Sequence, residues 1–329
     1  MGSCCLSTNV SFHTAIQEEI HAVEERIRSQ ADGYHPDIGA ALDLLLSSGG
    51  KRLRPTVTLL IGHVVGAPQD RLVTLASAIE LLHSATLVHD DLIDGSLLRR
   101  GNPTLNSQWS PGATILTGDF LFSCAAKLAA ETESLPVIKL FSQTLITIVN
   151  GEITQLFSSR SRISREDYFK RIYAKTASLL ETSAKSAALI APEVDDDTVE
   201  DMRQFGYEIG MAFQIVDDIL DFTSDEKALG KPVGSDVRQG IFTLPTLIYD
   251  EIFADDPDLH ALLEDDGPIN EEQVSRLVKA IRESAAIDLA FEQAAQFVQH
   301  GLASLRKQPE SPERHSLEEL AEFIVQRKI

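Results

Sequence analysis

Apolar residues recur every three or four positions along most of the 329-residue chain. This spacing places them on one face of an α-helix, whereas a half-buried β-strand would alternate apolar and polar residues. We find no sustained alternation and no pair of strands joined by a hairpin turn. The stretch from Leu72 to Val88 is almost entirely apolar, so a helix over residues 69–93 is predicted to be central. The pattern predicts an all-α fold.

Proline and glycine residues delimit the other predicted helices. These helices span Glu18–Gln30, Pro36–Leu46, Pro55–Val65, Ala113–Ala130, Pro136–Ser158, Lys170–Leu189, Asp197–Phe222, Ile241–Phe253, Glu271–Leu305 and Leu317–Arg327. The segment 223–240 is rich in glycine, proline and charge, and it is predicted to be a loop whose length indicates a function. The acidic stretch 255–266 is predicted to be solvated. No change in composition resembles a domain linker.

Two acidic clusters share the spacing DDxxD, and each ends a long apolar helix. The first cluster is Asp90, Asp91 and Asp94, and the second cluster is Asp217, Asp218 and Asp221. Like charges within one helical turn repel each other, and the carboxyl end of a helix already carries partial negative charge. A cation must offset this charge. Mg²⁺ is suitable, because one or two carboxylates usually hold it together with substrate phosphates.

Arg99 and Arg100 follow the first cluster within two helical turns. Guanidinium groups bind phosphate oxygens through paired hydrogen bonds. Carboxylates that can hold Mg²⁺ next to such groups indicate a site for a metal-bound polyphosphate ester. A pair of solvated helix ends is the alternative interpretation, and the duplication of the motif argues against it.

The composition limits the classes of function. A formal net charge of -21 argues against general nucleic-acid binding, and 43% hydrophobic residues are enough for a large core. Three cysteines, Cys4, Cys5 and Cys124, do not make a disulfide framework and fit a reducing compartment, so a cytoplasmic location is expected. No stable membrane anchor is expected, and Leu6 disagrees with an N-myristoylation motif, which requires Ser or Thr there.

Five motifs in one order resemble the trans-type polyprenyl diphosphate synthases. They are GGKRLRP at 49–55, HDDLIDGSLLRRG at 89–101, KT at 175–176, FQIVDDILD at 213–221 and GKPVGSD at 230–236. The resemblance covers roughly residues 49–245. It implies an isoprenoid synthase fold, which is one large bundle of helices around a central cavity, and a single polyprenyl synthetase domain over residues 1–329 with a flexible segment 1–12.

The resemblance also implies an activity. Such enzymes condense an allylic prenyl diphosphate with isopentenyl diphosphate, head to tail, to give an all-trans polyprenyl diphosphate. The implied cofactor is Mg²⁺, about three ions per active site, with Mn²⁺ as a substitute. Metal ions stabilise the negative charge that develops on the departing diphosphate. The implied assembly is a homodimer.

Individual roles follow from the matching motif positions. By resemblance, Asp90, Asp94 and Asp217 ligate Mg²⁺, and Asp91, Asp218 and Asp221 are further ligands or neighbours of the ligands. Arg99, Lys175 and Lys231 match positions that contact the allylic diphosphate, whereas Lys51, Arg54, His83 and Arg100 match those that hold isopentenyl diphosphate. Lys175, Thr176 and Gln214 are expected to stabilise the allylic cation. The implied catalytic set is Asp90, Asp94, Lys175, Thr176, Gln214 and Asp217. His89 is expected to be structural.

The small residues Ala85 and Thr86 lie about one helical turn before Asp90. Family members with short products tend to carry an aromatic residue there, which closes the product tunnel. The resemblance therefore predicts a product of about C30 to C50, with about C20 or C25 as the alternative.

The sequence leaves two other functions open. A class I terpene cyclase shares the fold and the first DDxxD, but it does not need Lys51, Arg54 and Arg100 for a second diphosphate. A non-catalytic subunit of a heteromeric synthase commonly loses aspartates from these clusters, and here both clusters are intact.

Overall fold

A computed structural model describes residues 16–157, 163–224, 232–264 and 270–326 of the chain. The described residues are almost entirely helical, so the all-α prediction is confirmed. Cys4, Cys5, the segment 1–12 and Lys231 lie outside the described residues. The chain divides into two compact units. Unit 1 comprises residues 1–139, 183–202 and 305–320, and unit 2 comprises residues 140–182, 203–304 and 321–329. The prediction of a single domain over the whole chain stays a prediction.

The helices are numbered here in chain order. They are α1 (Gln17–Arg28), α2 (Pro36–Ser47), α3 (Leu53–Val64), α4 (Gln69–Ile93), α5 (Leu105–Gln108), α6 (Pro111–Glu131), α7 (Leu135–Leu156), α8 (Arg165–Ile172), α9 (Ser178–Leu189), α10 (Asp196–Thr223), α11 (Ser235–Arg238), α12 (Leu244–Ile252), α13 (Pro257–Glu264), α14 (Glu271–Glu283), α15 (Ala286–Leu305) and α16 (Pro312–Gln326). A 3₁₀ turn covers Ser29–Ala31, and a π-helical turn covers Tyr173–Ala177. Two short strands, β1 (Leu98–Arg99) and β2 (Asn102–Pro103), pair antiparallel.

Helix α4 is the core of unit 1, as its apolar sequence predicted. It packs against α6, α3 and α1, and its residues from Leu75 to Leu82 are all buried. The approach to α3 is close, because a Cβ atom on Gly62 would lie 2.3 Å from Leu72 Cδ1. By length and composition α4 and α6 could each cross a membrane, although the sequence suggested no such segment. The burial of 67% of the most apolar window of α4 is typical of a core helix instead.

Unit 2 contains most of helix α10. The buried side of this helix carries Phe205, Ile209, Ile215, Ile219 and Phe222, all fully shielded from solvent. The spacing of these residues is that of an amphipathic helix, as the sequence predicted. Helix α14 is shorter and is also amphipathic, because its buried residues recur at helical spacing on one side.

The structure corrects several predicted boundaries. The loop after the first cluster contains the hairpin β1–β2, and its turn residues Arg100 and Gly101 have φ of 51° and 79°. Two successive positive φ angles give a turn whose twist matches that of the two strands in a tight hairpin. The pattern of apolar residues contains no information about these angles, so it did not predict the hairpin. Helix α11 lies within the predicted loop 223–240, and α13 lies within the stretch predicted to be solvated.

The predicted helix Glu271–Leu305 is two helices. Ser284 has an extended backbone with ψ of 173°, and its hydroxyl accepts a hydrogen bond from the N–H of Ala286 at 3.1 Å. A serine that accepts such a bond caps the start of a new helix. Helix α16 begins at Pro312, five residues before the predicted start at Leu317, since proline is tolerated in the first turn of a helix.

Candidate active site

The first cluster lies at the carboxyl end of α4 in unit 1. Asp94 is the C-terminal cap residue, and Gly95, with φ of 62°, ends the helix. The three carboxylates have different environments. Asp94 is exposed, Asp90 is half-buried and Asp91 is only 6% exposed. The two outer members of the motif are therefore more exposed to solvent than the middle one.

Asp91 binds a guanidinium group instead of facing solvent. Arg99 Nε donates to Asp91 Oδ1 at 3.0 Å and to Oδ2 at 3.1 Å, and Arg99 Nη2 lies 2.8 Å from Oδ1. A paired contact of this kind is among the strongest side-chain interactions, and it fixes the orientation of the guanidinium plane. The structure thus places Arg99, which is predicted to bind the diphosphate, at the first cluster. Asp91, the middle aspartate of the motif, holds it there.

The hairpin turn brings the two basic motifs of unit 1 together. Arg100 donates from Nη1 to the carbonyl oxygen of Gly49, which begins the motif GGKRLRP. A Cβ atom at Gly50 would lie 2.9 Å from the same Nη1 atom, so the absence of a side chain there leaves room for the guanidinium. Lys51, the next residue, is exposed. Lys51 and Arg100, which are both predicted to bind isopentenyl diphosphate, therefore come from adjoining backbone segments.

His83 is surrounded by positive charge. Burial lowers its pKa well below the usual value, and the guanidinium groups of Arg54, Arg100, Arg99 and Arg52 lower the pKa further. The imidazole is consequently neutral at pH 7 in the free protein. The structure gathers His83, Arg54 and Arg100 in one electropositive region, as expected for residues that bind one anionic ligand.

Arg52 was not predicted to have a role. It adopts a left-handed backbone conformation with φ of 44° just before α3. Its side chain donates to Glu24 Oε1 at 3.0 Å, to Glu80 Oε1 at 3.3 Å and to the carbonyl of Leu46 at 2.6 Å. Glu80 is a buried carboxylate on an otherwise apolar face of α4. Because a buried charge requires a partner, Glu80 was the residue in the sequence that indicated a basic side chain nearby. Arg52 ties the basic motif to α1 and α4.

The two residues predicted to set product length lie on α4. Ala85 is fully buried, and Thr86 is half-buried with its hydroxyl bonded to the carbonyl of His83 at 2.8 Å. His89 turns toward α6, where its Nε2 lies 3.2 Å from the carbonyl of Ile115 and its ring fills the space beside Gly118. His89 therefore has the structural contacts that the sequence suggested.

The second cluster lies at the carboxyl end of α10 in unit 2. Asp217 and Asp221 are half-buried, and Asp218 is 5% exposed. The carboxylate of Asp221 accepts the backbone N–H of Ser235 at 3.2 Å and of Asp236 at 3.1 Å, and so caps the short helix α11. This capping explains why a helix forms inside the predicted loop.

Asp218 is enclosed by hydrogen-bond donors. Its Oδ1 accepts from Gln214 Nε2 at 2.7 Å, and its Oδ2 accepts from the hydroxyl of Tyr168 at 2.8 Å. Burial raises the pKa of Asp218 to about 7, and the charge of Asp236 also raises it, whereas the two hydrogen bonds lower it. Thr176 donates to Gln214 Oε1 at 2.6 Å. The predicted cation-stabilising residues Thr176 and Gln214 are thus in direct contact.

A π-helical turn places Thr176 and Lys175. Such turns are rare and are frequently found at functional sites. The turn lies against two glycines, because a Cβ atom on Gly210 would lie 2.6 Å from Ala177 Cα and one on Gly151 would lie 2.5 Å from Ala174 Cβ. Lys175 is exposed, with its Nζ 4.0 Å from Glu152 Oε1. These close contacts bring the turn next to α10, one helical turn before Gln214.

Comparison with known families identifies the type of protein. The model of the polyprenyl synthetase family matches residues 35–281, about three quarters of the chain. The chain belongs to this family. It is therefore a prenyltransferase of the trans-polyprenyl diphosphate synthase type, as the five motifs indicated.

Two curated relatives match along nearly the whole chain. Component 2 of heptaprenyl diphosphate synthase from Geobacillus stearothermophilus is 34% identical over 320 residues, which cover 96% of this chain and 98% of the relative. Solanesyl diphosphate synthase 1 of Arabidopsis thaliana is 33% identical over an alignment of 331 positions, which covers 97% of this chain and 79% of the relative.

Solved structures have the same fold. A polyprenyl synthase from Caulobacter crescentus, complexed with calcium and isoprenyl diphosphate, superposes with a TM-score of 0.87 at 33% identity and covers 97% of each chain. Geranylgeranyl pyrophosphate synthetase from Pyrococcus horikoshii superposes with a TM-score of 0.86 at 34% identity and covers 97% of this chain and 99% of that chain. The Caulobacter structure therefore holds a divalent metal ion together with an isoprenyl diphosphate.

The carboxylates of the chain fit a metal that the substrate helps to bind. Within the four described ranges, no three His, Cys, Asp or Glu side chains converge as a protein-only metal site. Mg²⁺ does not need such a cage, because it commonly takes one or two carboxylates and completes its coordination with phosphate oxygens and water. The solvent-accessible members Asp90 and Asp94 of unit 1, and Asp217 of unit 2, are oxygen donors of the right kind.

Proposed function

We propose that this polyprenyl synthetase condenses an allylic prenyl diphosphate with isopentenyl diphosphate in a Mg²⁺-dependent, head-to-tail reaction that gives an all-trans product. The observation that carries the proposal is the geometry of unit 1, where Arg99 binds Asp91 of the first cluster and Arg100 binds the carbonyl of Gly49 at the start of GGKRLRP. A metal-binding carboxylate cluster next to concentrated positive charge is a binding region for diphosphate groups.

The residues of unit 1 bind and orient the substrates. Arg99, fixed by Asp91, presents its remaining N–H groups to the allylic diphosphate. Lys51, Arg54, Arg100 and neutral His83 hold isopentenyl diphosphate, and the imidazole adds a hydrogen bond without adding a further charge to the region. These contacts bring two anions together on a protein with a net charge of -21, where bulk electrostatics would repel them.

The residues of unit 2 stabilise the cation that forms when the allylic carbon–oxygen bond breaks. Thr176 and Gln214 present oriented oxygen dipoles, which stabilise positive charge without reacting with it. Lys175, together with Lys231, binds the diphosphate that leaves. Lys231 lies outside the described residues, and its role comes from the motif GKPVGSD alone.

We assign metal binding to Asp90, Asp94 and Asp217, with Asp221 close by. About three Mg²⁺ ions per site are proposed, and Mn²⁺ is proposed as a substitute. Bound metal would neutralise the charge that develops on the departing diphosphate. Asp91 and Asp218 are each occupied by protein donors, so we assign them to holding Arg99 and Gln214 instead of binding metal directly.

The product is proposed to be about C30 to C50 long, with about C20 or C25 as the alternative. The small, buried residue Ala85 supports the longer product, as do similar proteins named for heptaprenyl and solanesyl chains. A similar structure named for geranylgeranyl diphosphate keeps the shorter product open.

We propose a homodimer whose contact surface includes the α7 stripe, which we define as Ile146, Val149, Ile153 and Leu156. These side chains recur at helical spacing and are 43% to 63% exposed on the single chain. Contiguous apolar surface of this kind marks an interaction site. The stripe has no charged side chain, which suits contact between two copies that each carry -21. The name "component 2" of one relative makes a heteromer the alternative.

A reducing compartment such as the cytoplasm is proposed from the cysteines.

The deciding experiment measures product mass. Purified protein is incubated with Mg²⁺, isopentenyl diphosphate and a fifteen-carbon allylic diphosphate, and the products are analysed by mass spectrometry. We expect consumption of isopentenyl diphosphate and a series of masses that differ by five-carbon units. Cyclic hydrocarbon without consumption of isopentenyl diphosphate would indicate a terpene cyclase. No reaction would refute the synthase assignment for the single chain, and activity restored only by a second protein would indicate a heteromer.

A further inference from the structure

A chain of hydrogen bonds in unit 2 contains a residue to which the sequence assigned no role. Tyr168 donates to Asp218 Oδ2, Gln214 Nε2 donates to Asp218 Oδ1, and Thr176 donates to Gln214 Oε1, at 2.8, 2.7 and 2.6 Å. Tyr168, Asp218 and Thr176 are each at most 6% exposed. The chain therefore runs from the interior of the unit to the side chains proposed to stabilise the cation.

The carboxylate sets the direction of every bond in this chain. Both oxygens of Asp218 accept hydrogen bonds, one from Tyr168 and one from Gln214, so Gln214 turns its NH₂ group toward Asp218 and its carbonyl toward Thr176. The hydroxyl hydrogen of Thr176 is then committed to Gln214. Its oxygen lone pairs remain at the end of the chain, where they can interact with positive charge.

Tyr168 is held rigidly at the other end. Its hydroxyl oxygen accepts a hydrogen bond from the backbone of Leu244, which leaves the hydroxyl hydrogen for Asp218. The guanidinium carbon of Arg171 lies 5.6 Å from the centre of the Tyr168 ring, and the guanidinium itself donates to the carbonyl of Phe242. A fully buried ring with these contacts cannot change rotamer freely.

In the first cluster, too, a protein donor holds the second aspartate. Asp91 is buried, and Arg99 donates to both of its oxygens. In both clusters the second aspartate of DDxxD is directed to a protein donor, whereas the aspartate before it is more exposed. This recurrence supports a positioning role for the second aspartate and for the donor that holds it.

We propose that Tyr168 is a positioning residue, whose hydroxyl holds Asp218 and so fixes the orientation of the Gln214 amide and the Thr176 hydroxyl. The inference rests on the proposed function, in which Thr176 and Gln214 stabilise the allylic cation. An amide in this orientation directs its oxygen to the Thr176 end of the chain, whereas a flipped amide would direct an NH₂ group there and oppose the cation.

The test removes one hydroxyl. Tyr168→Phe keeps the buried ring, and Tyr249→Phe is a matched control, because Tyr249 donates to Asp256 at 2.9 Å in the same unit but outside this chain of bonds. We expect Tyr168→Phe to lower kcat about tenfold while both KM values change less than twofold, since the transition state is affected more than substrate binding. Tyr249→Phe is expected to keep the wild-type kcat.

A second readout does not require activity. The readout is the NMR signal of the Gln214 side-chain NH₂ group in metal-free protein labelled with ¹⁵N-glutamine. This signal is assigned by its loss in Gln214→Leu. We expect it to shift in Tyr168→Phe and to stay in place in Tyr249→Phe. An inactive wild-type protein would refute the proposed function and would leave this signal as the test of the positioning. An active wild type with unchanged kcat in Tyr168→Phe, an equal loss in both variants, or an unmoved Gln214 signal would overturn the proposal for Tyr168.

Discussion

Adjacent aspartates in each cluster have different environments, although their sequence context is nearly the same. Asp90 and Asp217 are half-buried, whereas their neighbours Asp91 and Asp218 are buried and bonded to protein donors. Successive residues on a helix project about 100° apart, so one can face solvent while the next faces a packed neighbour. At the scale of residues, the DDxxD motif therefore combines positions that we propose to bind metal with positions that hold other side chains.

The depressed pKa of His83 gives a testable dependence of stability on pH. The unfolded state binds a proton below about pH 6.5, and the folded state does so only at lower pH, so the stability that His83 contributes is present above this value and lost as the pH falls. Between pH 7.5 and 5.5, the free energy of unfolding should fall by about 1.4 kcal/mol more in the wild type than in His83→Gln.

Urea unfolding at the two pH values, without substrates, measures this difference. Other titrating groups are the same in both proteins, and their contributions cancel in the comparison. Equal losses in the wild type and in His83→Gln would show that the imidazole is not held neutral among the arginines.

The residue Ala85 allows a test of product length. Position 85 lies about 7 Å along α4 from Asp90, so a phenyl ring there should stop chain growth early and give roughly C15 to C20 products. Mass spectrometry of the products of Ala85→Phe measures the change, and Ala85→Ser serves as a small control that should keep the wild-type length. An unchanged length in a stably folded Ala85→Phe would exclude position 85 from the tunnel wall.

At the scale of elements, the π-helical turn depends on the close approach of its neighbours. Gly210 on α10 and Gly151 on α7 have no side chains, and this lets the turn Tyr173–Ala177 come within contact distance of both helices. The turn bears Lys175 and Thr176, so backbone packing controls where these two side chains project. A larger residue at either glycine would move them.

We predict that Gly210→Ala lowers stability by about 1 to 3 kcal/mol, although alanine is the better helix former. The added Cβ would lie 2.6 Å from Ala177 Cα, and a backbone atom cannot yield as a flexible side chain does. Activity should fall as Thr176 moves away from Gln214. Gly112→Ala, which meets nothing within 4 Å, is the control and should be neutral or slightly stabilising. Wild-type stability and activity in Gly210→Ala would contradict the packing argument.

At the scale of the whole molecule, charge and exposed apolar surface restrict how the protein associates. Two copies with a charge of -21 each repel one another, so a stable contact needs uncharged surface. The α7 stripe provides such surface, and an aspartate within it would add charge where two copies are proposed to meet.

We predict that Ile146→Asp converts the protein from a dimer to a monomer of 36.1 kDa. The side chain is 61% exposed on the single chain, so its replacement should leave the fold intact. Leu289→Asp is the matched control, because Leu289 is a 40% exposed leucine outside the stripe. Light scattering coupled to gel filtration gives the mass. A monomeric wild type, or a variant that keeps the dimer mass, would refute the role of the stripe.

The long helices could largely be predicted from the sequence. Apolar periodicity predicted α4 and α10, because burial of one helix face dominates their stability. The short elements were missed. The hairpin β1–β2 and helix α11 are too short for periodicity, and they depend on positive φ angles at Arg100 and Gly101 and on the capping of Ser235 and Asp236 by Asp221.

The sequence by itself determined the all-α fold, the two acidic clusters at helix ends and the basic motifs around them, because these depend on residue type and local spacing. Only the tertiary structure decided which aspartate of each cluster is buried, that Arg52 holds Glu24 and Glu80, and that Tyr168 holds Asp218. These contacts join residues that lie 28 or 50 positions apart along the chain, and they form only where packing brings those residues together. A hydrogen bond needs its partners within about 3 Å, and sequence spacing fixes such distances only within one helix or turn.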